Sequence, residues 1–435
     1  MTVSPRAYPP TITVQAATQP VDADVLLPGS KSYTNRALIL AGLAHGRTTI
    51  SPALFSDDTH YMAHSLRRLG IVVAEDEAAQ SFVVDGAGGI IPAKSAELFV
   101  GNSGTTARFI TALLALGHGE YVVDGVERMR QRPIEPLIDA LQQLGVEAVA
   151  INGNGCPPVR VMSHGLAGGL ARLAGDTSSQ YFSALLMVGP LTRSGLQIEV
   201  DGDLVSKPYI DMTAATMRAF GAAMVNDRYQ HFHVPGGQSY RAIDYGVEPD
   251  ASAASYFFAL AAATGGRIRV LNLGTNSGQG DARFVDVLEQ MGCTVVRDEN
   301  ALEVRGPEQL RGIDVDMNGI SDTVQTLAAI APLAGGPVTI RNVAHIRHKE
   351  TDRIGAVVTE LRRLGVEVIE RDDGLTIHPA AINPATLDTY DDHRMAMSFA
   401  ILGSAVTGIT LRNPDCVAKT FPDFFERLEK TVRGN

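Results

Sequence analysis

The sequence predicts an α/β protein built from six copies of one helix-and-strand unit, with three copies in each of two domains. Three observations support this prediction: a helix-to-strand step that recurs at regular intervals, a more apolar helix before each step, and a polar start to each apolar helix. The 435 residues suffice for two or three domains with large buried cores.

The recurring step is a helix that ends at a glycine and is followed by a strand. Its marker glycines lie 71 to 76 positions apart, at Gly70, Gly145, Gly221, Gly292 and Gly365. Apolar residues before each glycine have helical spacing, and the residues after it are β-branched, as in 366–369. The stretch 421–431 repeats the pattern a sixth time and ends before its strand. Each copy therefore pairs helices with strands.

The second helix of each copy is apolar nearly all round, as over 107–116, 256–263 and 326–334, and should be central in its domain. Capping explains one Ser, Thr or Asp at each start, but a cation such as Lys31 or Arg394 in a first turn opposes the helix dipole. A polyanionic ligand where these starts converge would explain both. The polar starts are residues 29–32, 101–106, 175–180, 248–252, 320–323 and 391–394.

The first polar start has the features of an anion receptor. Pro28 and Gly29 form a turn, Ser30 can cap the helix, and the N–H groups of the first turn form an anion site. Lys31 adds a mobile charge, and Arg36 adds a fork that can hold a phosphate with two bonds. The spacing is not that of a Walker A loop. Taken alone, the stretch could equally be an ordinary capped helix with exposed cations.

Composition excludes several classes of protein. A net charge of −11 argues against nucleic acid or an anionic membrane as the main partner. Three separated cysteines, Cys156, Cys293 and Cys416, predict neither a disulfide framework nor a zinc site. No apolar run reaches the roughly 18 residues of a membrane span, and the first 20 residues lack a signal-type apolar core. We expect a cytoplasmic protein.

Ten motifs, in one order along the chain, identify a family. The sequence resembles the 5-enolpyruvylshikimate-3-phosphate synthases, a branch of the enolpyruvyl transferase family, over essentially its full length. Any one motif alone would be weak, but the ordered set is very specific. The motifs are PGSKSYTNRA from Pro28, GNSGTTARF from Gly101, RMRQRPIEPL from Arg128, GDTSSQYFSALL from Gly175, VSKPYIDMT from Val205, EPDASAASYF from Glu248, ISDTVQTLA from Ile320, RHKETDRI from Arg347, DDHRMAMSFA from Asp391 and AKTFPDFF from Ala418.

The resemblance implies a fold and a reaction. The expected fold has two domains of three βαβαββ repeats, with inward helices whose N-termini face the interdomain cleft. One domain would be residues 29–248, and the other residues 1–28 with 249–435. The implied reaction moves the enolpyruvyl group of phosphoenolpyruvate to the 5-hydroxyl of shikimate 3-phosphate by addition and elimination. Small-molecule substrates, a monomer and no cofactor or metal are expected.

The resemblance also implies the site residues. Asp322 would accept the proton of the 5-hydroxyl, Glu350 would donate one to the methylene carbon, and Lys349 and Lys31 would complete the catalytic set. We expect Arg347, Arg353 and His348 to lower the pKa of Lys349. The shikimate 3-phosphate set is Lys31, Ser32, Arg36, Ser178, Ser179, Gln180, Ser206, Tyr209, Asp322 and Lys349. The phosphoenolpyruvate set is Lys31, Asn102, Gly104, Arg132, Gln180, Arg353, Arg394 and Lys419.

Two residues depart from the family pattern. His345 stands where relatives often have Asn, so the ligand contact made by that Asn is not expected of His345. Phe109 stands where many relatives have Pro, one turn into the helix that begins near Gly104. Purely structural interpretations of two other features also stay open. Asp322 could be only a helix cap, and residues 349–350 could be a solvated pair of charges in a loop.

Three other functions would share some of these sequence features. The sister transferase acting on UDP-N-acetylglucosamine usually carries a reactive Cys before the equivalent of Arg132, and 124–131 contain none. A metal-dependent isomerase or hydrolase could use 391–393, but adjacent helical residues diverge by about 100° and cannot all face one ion. A non-catalytic repeat scaffold would not need cations at buried helix starts.

Overall fold

The computed structural model describes residues 8–434 and divides into two compact units. Gly29–Glu248 forms the N-terminal unit, and Pro249–Asn435 forms the C-terminal unit together with the segment that ends at Pro28. Each unit has its own hydrophobic core. Within the described residues, no helix is both long and apolar enough to cross a bilayer.

Helices and strands alternate along the chain in the βαβαββ order. The helices are α1 (Lys31–Leu43), α2 (Asp57–Arg68), α3 (Gly104–Leu114), α4 (Glu135–Gln143), α5 (Ser179–Val188), α6 (Pro208–Ala219), α7 (Ala251–Thr264), α8 (Phe284–Gln290), α9 (Val324–Ile330), α10 (Arg353–Arg363), α11 (His393–Ala405) and α12 (Phe424–Arg433). The strands are β1 (Thr11–Thr13), β2 (Asp22–Val25), β3 (His45–Ile50), β4 (Val72–Asp76), β5 (Ser81–Ala87), β6 (Ser95–Phe99), β7 (His118–Asp124), β8 (Glu147–Ala150), β9 (Val159–His164), β10 (Gly169–Ala174), β11 (Leu196–Asp201), β12 (Val225–Asp227), β13 (His231–Val234), β14 (Asp244–Tyr245), β15 (Arg267–Leu271), β16 (Thr294–Arg297), β17 (Ala301–Arg305), β18 (Asp314–Asp316), β19 (Val338–Arg341), β20 (Val368–Arg371), β21 (Gly374–Ile377), β22 (Ala385–Leu387) and β23 (Ile409–Arg412).

One sheet pattern recurs in every copy: a parallel pair of strands followed by antiparallel neighbours. The N-terminal unit has the orders β14-β3-β5-β4, β6-β7-β9-β8 and β10-β11-β13-β12. The C-terminal unit has β2-β15-β17-β16, β18-β19-β21-β20 and β22-β23-β1. Strand β2 thus pairs with β15, and β1 takes the place beside β23 that a hairpin strand takes in the other copies.

The marker glycines end the outer helices because they adopt a left-handed backbone. Their φ angles are +88° at Gly70, +82° at Gly145, +92° at Gly221, +100° at Gly292 and +86° at Gly365. Residues with a Cβ rarely adopt this conformation, whereas glycine does so at little cost. The predicted helix-to-strand step is therefore confirmed, and the α/β fold class with it.

The inner helices α1, α3, α5, α7, α9 and α11 are buried on nearly all sides. Their polar starts belong to the helices, so that α3 and α7 begin several residues before the apolar runs. Helix α9 is shorter than the predicted 326–334: it ends at Ile330, because a short 3₁₀ turn with Pro332 follows. Side chains of Ser30, Ser103, Ser178, Asp250 and Asp392 cap five of these helices.

Replacing Gly145 by Ala isolates the cost of the left-handed backbone, because a Cβ at this exposed residue would meet no atom within 4 Å. We expect Gly145→Ala to lower the free energy of unfolding by about 1 kcal/mol. Gly246→Ala is the matched control, since its Cβ also meets nothing within 4 Å and its φ is not positive. Urea denaturation should show no loss for this control, and equal losses would contradict the account.

Candidate active site

The C-terminal unit contains a buried group of cations and carboxylates, here called the ionic cluster. The starts of α9, α10 and α11 and the 3₁₀ turn before α12 supply its members. Every member is at least three-quarters buried. The ionic cluster consists of Asp322, Lys349, Glu350, Arg353, Asp392, Arg394 and Lys419.

Arg353 is the centre of the ionic cluster, with a side chain that is only 1% exposed. Its Nε donates to Asp392 Oδ2 at 2.8 Å, Nη1 to Asp322 Oδ1 at 3.1 Å, and Nη2 to Glu350 Oε2 at 2.8 Å. Burial alone would lower the pKa of Arg353, but the charges of Asp392, Glu350 and Asp322 outweigh it and raise this pKa above its ordinary value. The guanidinium is therefore a permanent cation that fixes three carboxylates.

Asp322 contacts two more cations. Lys349 Nζ donates to Asp322 Oδ1 at 3.0 Å, and Arg394 Nη2 donates to Asp322 Oδ2 at 2.8 Å. Burial lowers the pKa of Lys349, and Arg353 acts in the same direction while Asp322 opposes it. A helix cap does not require these three cationic partners.

Glu350 is 7% exposed and lies between Arg353 and Lys419, whose Nζ is 3.9 Å from Glu350 Oε1. The interpretation of 349–350 as a solvated loop pair is therefore wrong for Glu350, which is buried. Of the cations expected to lower the pKa of Lys349, Arg353 does so. Arg347 forms ion pairs with Asp352 and Glu370 and donates to two carbonyl groups near the following hairpin.

His345, the first departure from the family pattern, is 5% exposed. Burial lowers its pKa to about 3, and the Lys349 cation adds to this effect while Asp322 opposes it. The imidazole is therefore neutral at physiological pH. Like the amide of Asn, it offers a donor and an acceptor without a charge.

The N-terminal unit holds a second set of polar residues at helix starts. Ser30 caps α1, so Lys31 is the first residue of that helix. Lys31 Nζ lies 3.5 Å from Asp58 Oδ2 in the first turn of α2, and the Asp58 side chain is only 2% exposed. This buried carboxylate is therefore the counter-ion of the ammonium group that begins α1.

Arg132 lies against the start of α3 and is 5% exposed. Its Nη1 donates to Asn102 O at 2.9 Å and to Asn102 Oδ1 at 3.1 Å. A Cβ on Gly104 would lie 2.4 Å from Arg132 Nη2 and 3.1 Å from Arg108 Nη1. Gly104 is therefore needed to make room for two guanidinium groups.

Arg36 is buried and already well bonded. Its Nε donates to Thr213 Oγ1, Nη1 to Ser32 O, and Nη2 to Ser183 Oγ and Tyr209 O. Its Cζ lies 5.3 Å from the centre of the Phe109 ring, and burial lowers its pKa to about 10. Arg36 thus offers a ligand one N–H in this arrangement, rather than the two-point fork that the sequence suggested.

The start of α5 supplies the remaining hydroxyl and amide groups. Ser178 caps the helix and Ser179 is its buried first residue. Gln180 Nε2 donates to Thr105 Oγ1 at 3.4 Å, which links the starts of α5 and α3. Ser206, just before α6, has a φ of +54°, a conformation rare for a residue with a side chain and frequent at functional sites.

Sequence reasoning missed the carboxylates that hold the cations, and one further cation. Asp58 and Asp392 look like ordinary first-turn and capping acids, and Arg108 lies in the motif from Gly101 but was assigned no role. An acid at a helix start two positions before a predicted ligand cation is the signal that could have found Asp392, whereas Asp58 is distant in the chain from Lys31 and carries no such signal. Among residues 8–434, no group of three or more His, Cys, Asp or Glu is placed to hold a metal ion.

Comparison with known proteins identifies the family. The family model described as EPSP synthase (3-phosphoshikimate 1-carboxyvinyltransferase) matches residues 15–428. The chain belongs to this family. The 3-phosphoshikimate 1-carboxyvinyltransferase of Trichormus variabilis is 53% identical and covers 97% of this chain and 99% of its own. That of Nostoc punctiforme is 54% identical and covers 96% and 98%.

A solved structure of the EPSP synthase from Acinetobacter baumannii has the same fold, with a TM-score of 0.81. It covers 97% of this chain and 98% of its own chain at 24% sequence identity. The two-domain enolpyruvyl transferase fold expected from the motifs is confirmed.

Removing the central cation should unfold the C-terminal unit more readily. We expect Arg353→Met to lower the free energy of unfolding by about 3–5 kcal/mol, because three buried carboxylates lose their shared partner. Arg297→Met is the control, since Arg297 pairs with half-exposed Asp286 and Glu289 and should contribute about 1 kcal/mol or less. Similar losses in thermal or urea unfolding would contradict a central role for Arg353.

His345 should make stability fall on acidification. Its folded pKa of about 3 lies below its ordinary value of 6.5, so only the unfolded chain binds this proton between these values. The stabilisation is thus present above pH 6.5 and is lost as the pH falls towards 3. His345→Asn should flatten this dependence, whereas replacing the exposed His233 should not. Parallel curves of unfolding free energy against pH for wild type and His345→Asn would refute this role of His345.

Proposed function

We propose that the protein joins the enolpyruvyl group of phosphoenolpyruvate to the 5-hydroxyl oxygen of shikimate 3-phosphate. A C–O bond forms to the central carbon of phosphoenolpyruvate, its C–O bond to phosphate breaks, and inorganic phosphate leaves. The ionic cluster is the observation that carries this proposal, because a reaction on phosphate and carboxylate groups needs closely spaced cations together with proton-transfer groups. Family membership over nearly the full chain supports the choice of substrates.

The carboxylates of the ionic cluster would act first as counter-ions. Arg353, Arg394 and Lys419 are paired with internal carboxylates in the structure described above. The phosphate and carboxylate groups of phosphoenolpyruvate would compete for these cations. Such an exchange costs less than burying unpaired charges, because each cation keeps an anionic partner throughout.

The replacement of internal carboxylates by substrate anions would also make the acids available for proton transfer. In the structure, Lys349, Arg353 and Arg394 all donate to the oxygens of Asp322. As substrate anions draw cations away, Asp322 would accept the 5-hydroxyl proton, and would later give it to the departing phosphate. Glu350 would protonate the methylene carbon and later remove a proton from the resulting methyl group, with Lys349 between the two acids.

In the N-terminal unit, the proposed ligand groups are those at helix starts. Lys31 and Arg132 would hold phosphate or carboxylate groups, with Asn102 and Gln180 as neutral donors. Ser178, Ser179, Ser206 and Tyr209, together with Ser32 and Arg36, would bind the phosphate and the ring substituents of shikimate 3-phosphate.

The sister reaction on UDP-N-acetylglucosamine is disfavoured. The three thiols, at Cys156, Cys293 and Cys416, are buried, and burial raises the pKa of each. None of them resembles the reactive thiolate that this branch usually carries.

We also infer that the enzyme works as a monomer in the cytoplasm. Every residue proposed for the site lies in one chain, and the three cysteines are unpaired, as in most proteins of reducing compartments.

The decisive test follows the product. Purified protein is mixed with shikimate 3-phosphate and phosphoenolpyruvate, and released phosphate and the enol ether are measured by ³¹P and ¹H NMR. One phosphate per enol ether, unchanged by a chelator, is expected. Turnover with UDP-N-acetylglucosamine instead would establish the sister reaction, and loss of activity in the chelator would favour the metal-dependent alternative.

The roles of the two acids can be separated by conservative substitutions. Glu350→Gln keeps its shape but cannot exchange a proton, so turnover should fall about 10²–10⁴-fold with shikimate 3-phosphate affinity nearly intact. Asp322→Asn should lose both turnover and affinity, because it removes a charge proposed to contact the ring hydroxyls of shikimate 3-phosphate. Deuterium exchange into the methylene of phosphoenolpyruvate should fail in Glu350→Gln. Exchange at the wild-type rate would transfer this role to Lys349.

A further inference from the structure

Asp281 is a buried carboxyl group that the proposed chemistry does not use. It lies in the 3₁₀ turn Gly280–Arg283 before α8 and is 5% exposed. This turn packs against the start of α7 and against the turn Asn318–Thr323, which carries Asp322. The turn that carries Asp281 is therefore packed against the turn that carries the residue proposed as the base.

Hydrogen bonds fix the position of Asp281. Ser252 Oγ, in the first turn of α7, donates to Asp281 Oδ2. The neighbouring Gln279 accepts from Ala251 N at 3.1 Å and donates to Pro249 O at 2.7 Å. The turn is thus tied to the start of α7, and the carboxyl group is held in one place.

Three charged groups face Asp281 from the elements around it. They are Asp250 at the cap of α7, Asp322 in its turn, and Arg394 in α11. Burial raises the pKa of Asp281 to about 6, and the charges of Asp322 and Asp250 add to this while Arg394 opposes it. Arg394 is also the cation that contacts Asp322 at 2.8 Å. The two carboxyl groups therefore share one neighbouring cation.

We propose that Asp281 is a positioning residue that takes up a proton as anionic substrates bind beside Arg394, and thereby keeps Asp322 ionised. The proposal rests on the proposed function. When substrate anions offset the cations, the two carboxylates repel more strongly, which favours a proton on one of them. A proton on Asp322 would block the base, whereas a proton on Asp281 leaves it competent.

The direct test is the titration of Asp281 by ¹³C NMR of protein labelled at the aspartate carboxyl carbons. The Asp281 signal is assigned by its loss in Asp281→Asn. We expect a midpoint near pH 6 in the ligand-free protein, and a rise of about one unit when shikimate 3-phosphate and phosphoenolpyruvate bind. A ligand-free midpoint below about 4, or a midpoint that bound ligand leaves unchanged, would overturn the proposal.

Ser252→Ala gives an independent check. Losing the hydroxyl donor removes a bond that favours the ionised carboxyl group, so the midpoint should rise further. An unchanged midpoint would count against the described geometry. Asp286→Asn, on the exposed face of α8, is the matched control and should leave the Asp281 signal in place.

Kinetics distinguish a charge-setting role from a structural one. The pH profile of kcat should lose one ionisation in Asp281→Asn, whereas a merely structural defect would lower kcat equally at every pH. If neither substrate binds to the wild type, the proposed function has failed. Inorganic phosphate then replaces the substrates as the probe, and an Asp281 midpoint that it fails to raise at saturation would overturn the proposal.

Discussion

The buried guanidinium of Arg353 is the interaction on which the C-terminal unit depends. It joins the start of α10, which carries it, to the acid before α9 and to the cap of α11. Three helix starts therefore meet at one cation. The dipoles of these helices favour the carboxylates and disfavour the cation, so the arrangement is stable only because Asp322, Glu350 and Asp392 are present together.

This constraint explains why the cluster combines cations and acids in nearly equal numbers. A receptor for phosphate made only of buried cations would repel itself before the ligand arrived. Internal carboxylates neutralise the cations in the absence of ligand, and two of these acids are also the groups proposed for proton transfer. Lys31 and Asp58 follow the same rule in the N-terminal unit.

Local features of the fold could be predicted from the sequence. Helix caps such as Ser103 and the marker glycines depend on their own backbone and near neighbours, and the ordered motifs identified the family. Partners distant in the chain could not be predicted in this way. Arg353 contacts Asp392, which is 39 positions away in the chain, and Arg394 contacts Asp322, which is 72 positions away. Most N–H groups of Arg36 are likewise taken by distant partners such as Thr213, 177 positions away. Spacing along the chain carries no signal for such contacts.

If substrate anions replace internal carboxylates as partners of the cations, a crystal structure with shikimate 3-phosphate and an unreactive phosphoenolpyruvate analogue should show this exchange. We expect Arg394 and Lys419 to contact the ligand, Asp322 to lose at least one of its three cationic contacts, and Arg353 to keep its bond to Asp392. A bound ligand beside an Asp322 that keeps all three contacts would contradict this exchange.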